Sequence, residues 1–152
     1  MDALEWLAYT YEQQNEFRDA LKTWGKLWQI EDLPEDKRQN IQEHVKQIGV
    51  KQQYGADATA ESLVGEGQRL FKQRSYNNAL LYFQNALVLE KDYPDAIEWI
   101  AYCYEKQNKL RSALAAWDAF LDLEDLPEEK TQLAENHIKL IKSYLEKARS
   151  RY

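Results

Sequence analysis

Residues 2–21, DALEWLAYTYEQQNEFRDAL, return as residues 95–114, DAIEWIAYCYEKQNKLRSAL, so a copy begins 93 residues downstream, from position 2 to position 95. The register continues without a gap. Trp24 falls on Trp117, the run Glu31-Asp32-Leu33-Pro34-Glu35 on Glu124-Asp125-Leu126-Pro127-Glu128, and His44 on His137. A fixed internal period is the mark of a repeat architecture and outranks any local pattern. Within each copy, Leu4, Leu7, Ala8 and Tyr11, and likewise Ile97, Ile100, Ala101 and Tyr104, fall on one stripe at helical spacing. We read that stripe as core.

A shorter period lies inside the long one. The segment from Glu61, ESLVGEGQRLFKQRSYNNALLYFQNALVLEKDYP, precedes the second copy and shares its pattern. Gly67, Leu70, Ala79, Phe83 and Ala86 alternate small and large packing residues, as do Ala101, Tyr104, Ala113 and Trp117 in the next unit and Ala8, Tyr11, Ala20 and Trp24 in the first. As a set these positions resemble the tetratricopeptide repeat, a helical hairpin of about 34 residues. The resemblance covers three units, near residues 1–34, 60–93 and 94–127. It departs from the family pattern at Leu4, Leu63 and Ile97, where Trp is common, and at Lys91, where Pro is expected.

The expected fold is all-α, an alpha-alpha superhelix: a solenoid of helical hairpins. Asn15, Ser75 and Asn108 fall between the two helical patterns of each unit, where a turn and an N-cap are wanted. Asp32 and Asp125, each with Glu three residues later and Pro34 or Pro127 in the first turn, read as capping-box-like starts of polar helices near residues 34–53 and 127–149. The chain then divides into residues 1–53, one hairpin plus a closing helix; a linker at 54–59; and residues 60–152, two hairpins plus a closing helix. The first module is one hairpin short of the second. Either the chain starts mid-module or its first hairpin packs on another molecule.

Composition excludes several functions. Hydrophobic residues at 44% beside charged residues at 30% describe an ordinary soluble chain, and 5 Gly and 3 Pro leave little for long loops. A net charge of -6 and pI near 5.0 oppose binding to phosphate backbones, so nucleic acid is not an expected partner. No stretch nears the ~20 apolar residues that cross a bilayer, and Met1 to Glu5 lacks the basic and apolar regions of a secretory leader. The cytoplasm is the default compartment.

Catalytic and metal chemistry find no constellation. Cys103, the single cysteine, stands where the other copy has Thr10 and reads as a small packing residue. His44 and His137 have no His or Cys at ligand spacing. Glu31-Asp32 and Glu124-Asp125 precede proline-started helices and read as caps and dipole partners. Gly65 and Gly67 lack the Lys and Ser or Thr of a phosphate loop and read as sites of close helix packing. The expectation is a non-enzyme with no cofactor and no metal.

What remains is a binding surface. Asp2, Glu5, Trp6, Tyr9 and Glu12 share a helical face opposite the core stripe, and so do Asp95, Glu98, Trp99, Tyr102 and Glu105. The resemblance implies a concave face lined by first helices that receives a protein or peptide. Aromatics beside carboxylates suit a basic-hydrophobic segment. The competing expectation is that Trp6 and Trp99 pack against a neighbouring hairpin or closing helix. The carboxylate clamp known in this family needs Lys, Arg and Asn on that face, and only Lys72 and Lys106 lie near it. A rival function is homo-oligomerisation through the N-terminal hairpin.

Overall fold

The computed structural model describes residues 2–152; Met1, which the sequence reading includes in the first hairpin, lies outside them. Among the described residues the chain forms helices and no strand. They are α1 (Ala3–Gln13), α2 (Phe17–Trp28), α3 (Glu35–Tyr54), α4 (Ala60–Lys72), α5 (Tyr76–Leu89), α6 (Pro94–Lys106), α7 (Leu110–Leu121) and α8 (Glu128–Arg149). They divide into two units, Met1–Ala58 and Thr59–Tyr152.

In the first unit α1 and α2 form an antiparallel hairpin and α3 packs along α2. Ala8 and Ala20, each with no exposed surface, let the two helices approach closely, and Trp24, Leu27, Ile41 and Ile48 fill the space beside them. In the second unit the hairpins α4–α5 and α6–α7 stack through α5 and α6, and α8 closes on α7. Ala79, Ala101 and Ala113 are wholly buried at the equivalent positions. At Gly67 the approach is closest, since an added Cβ would lie 2.5 Å from the Phe83 ring. Gly65 has nothing within 4 Å of such a Cβ, so the packing reading applies to Gly67 and is corrected for Gly65.

All three hairpins turn in one way. The N–H of Glu16 donates to the Tyr11 carbonyl and that of Asn15 to Glu12, a pair of bonds repeated by Ser75 and Arg74 on α4 and by Lys109 and Asn108 on α6. This is the Schellman closure, which places the residue after the helix cap in the left-handed region. Asn15, Arg74 and Asn108 have φ of 59°, 61° and 57°. The structure therefore corrects the N-cap reading of Asn15 and Asn108: they end the first helix, and Glu16 and Lys109 occupy the N-cap positions of the second. Ser75 does stand at its N-cap, without a side-chain capping bond. Asp32 and Asp125 are likewise left-handed turn residues, and Pro34 and Pro127 are the N-caps of α3 and α8. Asn and Asp tolerate this conformation through local hydrogen bonding, which explains why both roles draw on the same residue types. The linker is shorter than expected, because α3 runs through Tyr54 and ends at Gly55, whose φ is 110°. α4 then starts with a capping box in which Thr59 and Ser62 exchange bonds of 3.1 and 3.0 Å.

Candidate functional site

Glu5, Tyr9 and Glu12 of α1 and Glu98, Tyr102 and Glu105 of α6 meet the closing helices, and the Glu, Trp and His contacts recur in the two units. In the first, Trp24 Nε1 donates to Glu12 at 2.5 Å, and His44 Nδ1 faces the same carboxylate at 3.1 Å. In the second, Trp117 Nε1 donates to Glu105 at 2.6 Å, and His137 Nδ1 faces it at 2.8 Å. A carboxylate only accepts, so each ring presents its Nδ1–H there. The imidazoles stack on the indoles, His44 on Trp24 at 4.9 Å and His137 on Trp117 at 4.7 Å, while Tyr9 and Tyr102 meet both rings edge-on.

A lysine fixes the start of each closing helix. Lys37 lies 3.0 Å from both Asp2 and Glu5, and the Glu5 carboxylate also accepts the Asp2 N–H at 2.9 Å. Lys130 donates to both oxygens of Glu98, at 3.1 and 2.8 Å. Glu98 is 6% exposed, and its hydrogen bond raises the Lys130 ammonium above its ordinary range. Burial, then the Glu98 charge, raises the Tyr102 hydroxyl, which donates to Glu98 at 3.1 Å.

These contacts correct the expectation of an open acidic and aromatic groove. Glu5, Tyr9, Glu12, Glu98, Tyr102 and Glu105 hold α3 and α8 against their hairpins, with the carboxylates paired inside the chain. Asp2 is exposed at the edge of its cluster, and Asp95 is exposed on α6. The histidines, read in the sequence as bland, are central to both clusters; the signal that could have found them is their shared register with Trp24 and Trp117.

The two tryptophans part company. Trp99 packs between hairpins, 5.1 Å from the Phe71 ring and 6.0 Å from Phe83. Trp6, its copy, is 61% exposed. The difference extends along the helix. Ala96, Ile100 and Cys103 are buried, whereas Ala3, Leu7 and Thr10 are exposed. Gln107 donates to Asn77 of α5 at 2.5 Å, and its copy Gln14 is exposed. The competing expectation therefore holds for Trp99 and not for Trp6.

Cys103 is wholly buried, and burial pushes its thiol up to about 12, opposite to what a nucleophilic cysteine needs. Among the described residues no group of three or more His, Cys, Asp or Glu side chains converges as metal ligands would, and no helix is long and apolar enough to cross a membrane. No family model and no curated protein matches the chain.

Proposed function

We propose that the chain is a tetratricopeptide-type repeat scaffold, a superhelical array of hairpins that recruits another protein and carries out no catalysis of its own. The observation that carries this reading is the exposed face of α1. Trp6 and Leu7 are 61% and 41% exposed on this helix. Large aromatics exposed beside aliphatics mark contact surfaces and supply much of the energy at protein interfaces. Glu5, Glu12, Glu98 and Glu105, first read as part of a groove for a basic-hydrophobic segment, are engaged within the chain, so the contact surface we propose is the Trp6 face of α1.

The test is affinity capture from cell extract with the wild-type chain and with Trp6→Glu. Trp6 is 61% exposed, so the variant should fold as the wild type does. Recovery of a partner that rebinds as a purified protein to the wild-type chain, with affinity lost in Trp6→Glu, supports the scaffold. Capture of no rebinding protein by the wild-type chain contradicts it.

A further inference from the structure

The same helix face occurs twice, once covered and once open, and the covered copy shows what fits. On α6, Trp99 and Gln107 meet the α4–α5 hairpin, and Ala96, Ile100 and Cys103 on the same face are buried. Phe71 and Phe83 meet the indole of Trp99, and Asn77 accepts from Gln107. On α1 the matching positions carry Ala3, Trp6, Leu7, Thr10 and Gln14. Size is retained position by position, polarity changes only where Thr10 stands for Cys103, and none of these positions on α1 carries a charge.

Resting on the scaffold reading above, we propose that the α1 face is a docking site for a helical hairpin of α4–α5 chemistry that lies outside residues 2–152. That hairpin presents large aromatic side chains from both helices, at the positions of Phe71 and Phe83, and an amide side chain at the position of Asn77. It stacks on α1 as α4–α5 stacks on α6. The site is uncharged, so the association responds weakly to salt, unlike one steered by ion pairs.

The experiment supplies such a hairpin. A second copy of residues 59–94 is fused directly before Asp2, reproducing the sequence order that precedes Asp95. Hydrogen exchange of α1 is then compared in the native chain, the fusion, and the fusion carrying Trp6→Glu. Docking slows α1 exchange in the fusion by more than about tenfold, and Trp6→Glu removes the effect; the appended hairpin's own protection reports that it is folded.

Unchanged α1 exchange in the fusion overturns the proposal, as does equal protection with Trp6→Glu. Concentration-dependent dimerisation of the native chain, abolished by Trp6→Glu in sedimentation, also overturns it, because the occupant is then a second copy. A fusion that fails to dock while affinity capture still yields a Trp6-dependent partner removes the hairpin and leaves the scaffold. A fusion that docks while capture yields nothing does the reverse.

Discussion

Gly67 and Gly65 sit two positions apart on one helix, and a methyl group has opposite consequences at each. At Gly67 it would overlap the Phe83 ring, whose side chain is wholly buried and has no room to withdraw. Gly67→Ala should cost about 1–3 kcal/mol, the range for overpacking a filled core. Gly65→Ala meets open space and should stabilise by up to ~1 kcal/mol through helix propensity. Chemical denaturation of both variants checks the pair. Sequence pattern found both glycines and could not separate them, because which helix face meets Phe83 is a tertiary fact. Cys103 supports a second prediction at this scale. Its thiol ionises near pH ~8.5 in the unfolded chain and only near 12 in the folded one. Its contribution to stability is full below the unfolded value and falls as pH rises toward the folded one. The decline in denaturation midpoint between pH 8 and pH 10 should therefore be smaller in Cys103→Ala, and the native thiol should resist alkylation at pH 8.

The turns and closing helices are determined at the level of the element. Arg74 holds the left-handed position that Asn fills in the other hairpins, and an L-residue with a long side chain pays roughly 1 kcal/mol there. Arg74→Gly should raise the unfolding free energy by up to about that amount, read by thermal or denaturant unfolding. The sequence located these turns but assigned Asn15, Asn108, Asp32 and Asp125 to helix starts. Short polar side chains serve both the N-cap and the left-handed turn, and only backbone geometry distinguishes them. The closing helices depend on carboxylates that the sequence read as ligands for a partner. Glu105→Ala leaves the Trp117 N–H and His137 without their acceptor, and loss of such a charge-assisted pair costs about 1–3 kcal/mol. Hydrogen exchange should rise first in α8, with Glu12→Ala acting on α3 in the same way. Unaltered α8 exchange in a folded Glu105→Ala chain would show that the cluster does not hold the helix.

Across the whole molecule, the repeat made the all-helical architecture legible. It also gave the equivalence of Trp6 and Trp99. Their divergence was not legible, since identical residues in identical local patterns differ only in whether a hairpin lies against them. This divergence carries the functional account, because an exposed face that keeps the composition of an interface is the basis for assigning it a partner. The most direct measurement is the unfolding free energy of Trp6→Ala beside that of Trp99→Ala in otherwise identical chains. The account predicts a cost within about 0.5 kcal/mol at the exposed position and about 3–5 kcal/mol at the packed one. Equal costs would mean that the two faces are covered alike, and would contradict the open α1 face on which the proposed function rests.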